Sequence, residues 1–212
     1  MSAHRQAAYE AEVLRHWHGN PDGAHDLAHL RRVWRNCQKI ARAEGGADLE
    51  VLLAAAIFHD VVNLPKDAPN RAEASRLSAE LAARYLAQTD FPADKIAAVA
   101  HAITAHSFSA GIAPETPEAR ILQDADRLEA LGALGLARMF YVAGALGGGL
   151  FDAQDPLGQN RPLDDRAFAL DHLEVKLFRI AETMQTAEGR ALAEEGADWM
   201  ASFRTRLLRE IG

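Results

Sequence analysis

One segment limits the folds that are open to this chain of 212 residues. Residues 51–58 are apolar without interruption, and the polar residues His59 and Asp60 follow them directly. A helix that is apolar on every side is stable only when other elements enclose it. The segment therefore predicts a central buried helix. The imidazole and the carboxylate at its end are costly to bury unless a bound ion or a capping interaction compensates for the lost hydration.

The rest of the chain is also expected to be helical. Alanine, leucine, arginine and glutamate are abundant and favour helices, and no stretch alternates apolar and polar residues for long. Residues that start and stop helices predict helices over residues 7–17, 24–44, 48–60, 70–88, 92–106, 117–131, 134–145, 164–183 and 187–211. We expect a single all-α domain, in which residues 1–21 form an N-terminal helix and turn and residues 22–205 form the main bundle. Residues 147–162 are expected to form a long loop.

Charge and cysteine content exclude several classes of protein. The formal net charge of -7 argues against a binder of duplex nucleic acid, because phosphate contacts need a basic surface. Cys37 is the only cysteine, so the chain has neither an internal disulfide nor a thiolate zinc cluster. No apolar run is long enough to cross a bilayer, and the first residues lack the apolar core of a signal peptide. We therefore expect a soluble cytoplasmic protein without a membrane partner.

Three groups of polar residues in otherwise apolar helices are candidates for chemistry. His25 and His29 are four residues apart, on one face of the second predicted helix. His59 and Asp60 end the central helix, and Asp124 follows an apolar stretch, so it is expected to face inward. Each group alone also has a structural explanation, such as a helix cap or an ion pair between Asp124 and a neighbouring arginine.

Together, His29, His59 with Asp60, and Asp124 form the ordered pattern H…HD…D. In this pattern the chain resembles the HD-domain metal-dependent phosphohydrolases, and it looks most like one small bacterial branch of that superfamily. The similarity extends over residues 25–33, 58–75, 102–109, 121–135 and 169–177. Members of this branch are described as predicted phosphohydrolases, and some are thought to be nucleoside triphosphate pyrophosphohydrolases. The resemblance implies an HD-type helical bundle in one domain.

The resemblance also implies a metal site. His29, His59, Asp60 and Asp124 would hold one divalent ion, with Mn²⁺ or Mg²⁺ favoured and Fe²⁺, Co²⁺ or Ni²⁺ as alternatives. Mixed nitrogen and oxygen ligands that leave room for water are typical of these ions rather than of a closed structural zinc site. We expect such a metal to activate water against a phosphoester or phosphoanhydride bond, and a nucleotide is the favoured substrate.

Phosphate recognition would need further hydrogen-bond donors. Lys66, Arg71 and Ser75 follow the His59 and Asp60 pair in a loop and at a helix start, where free backbone amides also favour anions. The resemblance favours Lys66 and Arg71 as substrate-binding residues, although solvated loop cations are an ordinary alternative for them. Ser75, one turn further on, is added to the predicted substrate-binding residues because of its position.

Asp60, His101 and His106 are the predicted catalytic groups. The two histidines are five residues apart, which is about 140° around a helix, so they are not expected to form a tight pair. We assign them to the wall of the active site, where they could position the attacking water or protonate a leaving oxygen. Asp126 is a further candidate base, or equally a structural carboxylate in an ion pair.

Several residues have more than one explanation or differ from the pattern of the branch. Asp171, His172 and Lys176 match the branch but could serve either helix packing or substrate contact. Glu129 stands where the branch is expected to have aspartate, and Gly196 stands where a longer side chain is expected. Alanine-rich helix faces could support a homodimer. A regulatory module that binds a nucleotide without turnover is the alternative to an enzyme.

Overall fold

The computed structural model describes residues 2–17, 26–64, 70–107 and 110–212. Within these residues the chain is helical and has no β-strand, only an isolated bridge between Gly149 and Phe168. The prediction of an all-α fold is therefore confirmed. Among the described helices, no single one is both long and apolar enough to cross a membrane; only the bent pair Pro117–Ala130 and Gly132–Ala145 passes that test when its two parts are taken together.

The helices of the described residues are numbered in chain order. They are α1 (Ser2–Trp17), α2 (Leu27–Glu44), α3 (Leu49–Phe58), α4 (Ala74–Leu86), α5 (Ile96–His106), α6 (Pro117–Arg127), α7 (Gly132–Ala145), α8 (Asp171–Val175) and α9 (Ala187–Ile211). Short 3₁₀ turns precede α4 and α5 and follow α6 and α8. The bounds of α9 agree with the prediction from the sequence, and the other ends mostly differ by a few residues.

Side-chain caps explain where two helices near the site begin. The Asp26 carboxylate accepts a hydrogen bond from the backbone N–H of His29 at 2.8 Å, which starts α2. The Asp48 carboxylate accepts from the backbone N–H groups of Glu50 and Val51, which starts α3. An aspartate at this position satisfies amides that have no partner within the helix. The caps therefore fix the registers in which His29 and the residues of α3 face the core.

The chain divides into two compact units, residues 1–126 and residues 127–212. In the first unit α3 is the central element, and α1, α2, α4 and α5 pack against it. Residues 51–58 are all buried, as the sequence predicted. The helix thereby carries His59, the residue at its C-terminal end, into the interior of this unit.

In the second unit, Arg161 organises the loop that was predicted over residues 147–162. Its guanidinium donates to both carboxylate oxygens of Asp171, at 2.6 and 2.9 Å, and lies over the ring of Phe168. The Asp171 carboxylate is fully buried and also accepts from the backbone N–H of Asp164. Asp171 therefore anchors this loop. His172 contacts Asp165 through Nδ1 at 2.7 Å, and Lys176 is exposed.

The predicted helix over residues 164–183 is largely wrong. Only Asp171–Val175 is α-helical, with two 3₁₀ turns after it. The backbone of Ala167 and Ala169 bonds to Gly149 instead of continuing a helix, and Asp164 accepts from the N–H groups of two following residues. These competing hydrogen bonds satisfy the backbone without a helix.

Gly196 stands where a longer side chain was expected from the sequence, and the structure gives a steric reason for the glycine. A Cβ atom at this position of α9 would lie 3.0 Å from the Cβ of Leu131 and 3.2 Å from the backbone nitrogen of Gly132. A long side chain does not fit at this contact. The glycine therefore allows α9 to approach the start of α7 closely.

Two glycines of α7 offer a matched test of a different close contact, the one between this helix and the 3₁₀ turn that precedes it. A Cβ on Gly135 would lie 2.2 Å from the carbonyl carbon and oxygen of Ala130, whereas a Cβ on Gly144 would meet nothing within 4 Å. We expect Gly135→Ala to lower the free energy of unfolding by about 1–3 kcal/mol through overpacking. Gly144→Ala is expected to raise it by up to about 1 kcal/mol through helix propensity. Urea titrations followed by circular dichroism measure both, and equal stabilities for the two variants would contradict the packing described.

Candidate metal centre

Five side chains of the first unit converge where four helices end or begin. His29 lies in the first turn of α2, and His59 and Asp60 follow the last residue of α3. His106 is the last residue of α5, and Asp126 lies in the last turn of α6. We call these five residues the His-Asp cluster. The ends of helices bring them together although they are far apart in the sequence.

The ligand atoms of the cluster surround a common point. The Nε2 atoms of His29 and His59 are 3.3 Å apart, and they lie 3.6 and 3.7 Å from Oδ1 of Asp126. The same two nitrogens lie 3.8 and 3.6 Å from Oδ2 of Asp60. Ligand atoms bound to one ion at about 2.1 Å are roughly 3 to 4 Å apart, so these separations fit a divalent metal.

Among the residues that the structure describes, two sets of three meet the distance requirement for a metal. His29, His59 and Asp126 form one set, and His59, Asp60 and His106 form the other; within each set the ligand atoms lie within 4.8 Å of one another. His106 enters through its Nε2, which is 3.7 Å from Oδ1 of Asp60. The cluster therefore offers three imidazole nitrogens and two carboxylates.

Backbone carbonyls orient two of the imidazoles. Nδ1 of His59 lies 2.9 Å from the carbonyl oxygen of Ala56, and Nδ1 of His106 lies 2.5 Å from that of Ile103. Because a carbonyl oxygen can only accept, each Nδ1 carries the proton and donates it. In its neutral form, each ring then has its lone pair on Nε2, the atom that faces the cluster and would bind a metal.

Burial and charge together prepare the cluster for a cation. His29 and His59 are almost completely buried, whereas the side chains of Asp60 and Asp126 are 22% and 31% exposed. Burial alone lowers the pKa of His59, but the carboxylates of Asp60 and Asp126 outweigh it and raise that pKa to about 9. Burial raises the pKa of Asp126, but the facing imidazoles, led by His59, hold it well below its ordinary value.

The structure does not bring Asp124 into the cluster. Its side chain is completely buried, two residues before Asp126 on α6, and it belongs to neither set of potential ligands among the described residues. Its role as a ligand stays a prediction, and Asp126 is the carboxylate of α6 found beside the imidazoles. Residues two apart on a helix point to nearly opposite sides, so a side chain that faces the apolar core does not also face a solvent-accessible site.

The two predicted wall histidines have different surroundings. His106 belongs to the His-Asp cluster, whereas Nε2 of His101 accepts a hydrogen bond from the backbone N–H of Glu115 at 3.1 Å. His101 therefore holds the segment between α5 and α6, and its catalytic role stays a prediction.

The predicted phosphate-binding residues are described only in part. Lys66 lies outside the described residues, as does His25, and of Arg71 only the backbone is described, at the start of the 3₁₀ turn Arg71–Glu73. Ser75 lies in the first turn of α4 and is buried, and its Oγ has no hydrogen-bond partner among the described residues.

One helical turn after Ser75, Ser78 accepts from the backbone N–H of Val62 at 3.0 Å. This hydrogen bond ties α4 to the segment that directly follows His59 and Asp60. The face of α4 that carries the two serines is therefore turned toward the chain beside the cluster.

Comparisons with known proteins identify the family of the region that contains the cluster. The family model of the HD domain matches residues 26–131, which include all five residues of the cluster. The protein YpgQ of Bacillus subtilis is 32% identical over 210 residues, which cover 95% of this chain and 94% of YpgQ. The crystal structure of YpgQ in complex with ADP matches with a TM-score of 0.75 and 31% identity, over 99% of this chain and 97% of that one. An HD-superfamily hydrolase from Bacillus thuringiensis matches with a TM-score of 0.76 and 26% identity, over 99% and 98%.

Removal of one imidazole tests the cluster directly. We expect His59→Ala to bind Mn²⁺ more than about 100-fold more weakly than the parent, because loss of a ligand exceeds the 10–100-fold effect of changes around a ligand. His101→Ala is the matched control, since His101 lies outside the cluster and should leave Mn²⁺ affinity unchanged. Equilibrium dialysis with elemental analysis measures both, and equal metal binding by the two variants would contradict the site.

Proposed function

Because the chain belongs to the HD domain family, we propose that it is a divalent-metal-dependent phosphohydrolase that cleaves a phosphoester or phosphoanhydride bond of a nucleotide. The observation that carries the proposal is the convergence of His29, His59, Asp60 and Asp126 at distances that suit one ion. Three imidazole nitrogens and two carboxylates that meet at one largely buried point are costly to desolvate, and a bound cation would offset that cost.

We assign His29, His59 and Asp60 to the metal, with Asp126 as the carboxylate from α6. Asp124, the residue at that place in the predicted pattern, is the alternative. One ion is favoured over two, because His59 belongs to both sets of ligands and its Nε2 has a single lone pair. Imidazole combined with carboxylate suits Mn²⁺ well, and Mg²⁺ is the second choice.

The metal, when bound, would lower the pKa of a coordinated water and stabilise negative charge on the phosphoryl group. Side chains of the protein itself would then transfer protons and orient the substrate. Asp60 faces the imidazoles of His29 and His59 through Oδ2 and His106 through Oδ1, so it links the ligands to a group that can exchange a proton. His106, whose Nδ1 is committed to Ile103, can take up or deliver a proton only at Nε2, on the side of the cluster.

The phosphate group would be held by α4. The hydroxyl of Ser75, which has no hydrogen-bond partner among the described residues, is buried at the first turn of this helix, where backbone amides also favour an anion. Lys66 and Arg71 are proposed as further donors on the resemblance to the family alone. A nucleotide is the favoured substrate because the similar protein YpgQ was crystallised in complex with ADP.

Turnover by the purified protein tests the proposed reaction. With Mn²⁺ or Mg²⁺, we expect release of phosphate or pyrophosphate from at least one member of a panel of nucleoside mono-, di- and triphosphates. Asp60→Asn should lower kcat/KM by at least about 10³-fold, since metal activation contributes several kcal/mol. Asp94→Asn, an exposed aspartate outside the cluster, is the matched control.

Three outcomes of this assay test the role of Asp60 and distinguish an enzyme from a regulatory module. Normal turnover by Asp60→Asn would remove this residue from the site. Binding of metal and nucleotide by the parent protein without turnover would favour the regulatory module. Release of product that depends on both the metal and Asp60 would support the enzyme.

A pair of variants on α6 decides which carboxylate binds the ion. We expect Asp126→Asn to weaken Mn²⁺ binding more than about 100-fold, because the neutral amide is a poorer ligand beside two imidazoles. Asp124→Asn should keep the affinity of the parent, since its side chain lies outside both sets of ligands. Isothermal titration calorimetry measures both affinities. The reverse ranking would restore Asp124 as the ligand predicted from the sequence.

A further inference from the structure

A buried amide connects the two helices that bring His106 and Asp126 to the cluster. Gln123 of α6 is 4% exposed, and its Nε2 donates to the carbonyl oxygen of Ala105 at 2.8 Å. Ala105 is the residue before His106 and is fully buried. Its carbonyl is among the last four of α5, which have no partner within the helix. Gln123 therefore closes an otherwise unsatisfied helix end beside His106.

The position of Gln123 on α6 couples this bond to Asp126. The two residues are three apart, so they lie on one side of the helix and about one turn from each other. A second amide holds the same segment from another direction, because Nδ2 of Asn36 donates to the carbonyl oxygen of Ala125 at 3.3 Å. The last two turns of α6 are thus tied to α5 by one amide and to α2 by the other.

The orientation of the Gln123 amide follows from its partner. The Ala105 carbonyl can only accept, so the amide nitrogen must face it and Oε1 must point elsewhere. Oε1 is buried and has no hydrogen-bond partner among the described residues. An unpaired acceptor in the interior is a costly way to fill space, since an apolar side chain of similar shape would avoid that cost. This cost indicates that the donor bond to Ala105 serves more than packing.

We propose that Gln123 is a positioning residue of the metal centre, which sets the distance between the His106 imidazole and the Asp126 carboxylate. The inference rests on the proposed metal site and goes beyond it, because Gln123 itself is not a ligand. Without the amide, the end of α5 and the C-terminal part of α6 lose this direct side-chain link, and the ligand atoms that these helices carry are no longer held at one separation. A metal site depends strongly on such supporting contacts.

The test compares Gln123→Met with Gln6→Met, each loaded with Co²⁺. Methionine keeps the length of the side chain but removes the donor, and Gln6 is a part-buried amide of α1 that makes one side-chain hydrogen bond, to Glu10. We expect Gln123→Met to show an altered visible Co²⁺ spectrum and an Mn²⁺ affinity lowered about tenfold. Gln6→Met is expected to match the parent in both measurements.

A second variant covers the case in which Gln123→Met does not fold. Gln123→Leu keeps a buried side chain of comparable bulk but has no proton to donate to Ala105, so it should show the same spectral change and weaker binding. A Co²⁺ spectrum and Mn²⁺ affinity equal to those of the parent in either folded variant would overturn the inference, as would failure of both variants to fold when Gln6→Met folds normally. Failure of the parent itself to bind Co²⁺ would instead contradict the proposed function.

Discussion

The enclosure of α3 is the constraint on which the first unit depends. Residues 51–58 are apolar on every side, so the helix has no face to offer to water and must be surrounded by its neighbours. Enclosing it also carries His59 into the interior, where an imidazole needs partners. The partners come from the ends of the surrounding helices, which is why the candidate metal centre lies at the C-terminal end of α3.

Helix ends are well suited to orienting buried imidazoles, because their last carbonyl groups are available as acceptors. The last carbonyls of α3 and α5 lack partners within their helices, and two of these free acceptors, on Ala56 and Ile103, orient His59 and His106. The same unsatisfied groups that would weaken a buried helix end therefore fix the ring nitrogens that face the cluster. Stability and the preparation of the site depend on the same hydrogen bonds.

The sequence predicted the parts of the fold that local patterns control. The apolar run of α3 and the bounds of α9 follow from residue type and spacing, whereas the convergence of His29 with His59 and Asp60 was expected from the resemblance to the HD-domain family. The choice between Asp124 and Asp126 could not be made from the sequence, because it depends on which side of α6 faces the neighbouring helices. The mistaken helix over residues 164–183 has a similar cause, since its backbone bonds to Gly149, which is distant in sequence. The contacts of Gln123 and Gly196 likewise become visible only once helices are packed.

The arrangement around Arg161 has a consequence for the second unit. Acidic side chains and carbonyl oxygens gathered in one loop commonly require a bound calcium ion to offset their charge. Here the guanidinium occupies that role, because it pairs with Asp171, lies 3.6 Å from Asp152 and donates to the carbonyl oxygen of Asp155. The loop therefore carries the counter-charge for these acidic groups within its own polypeptide.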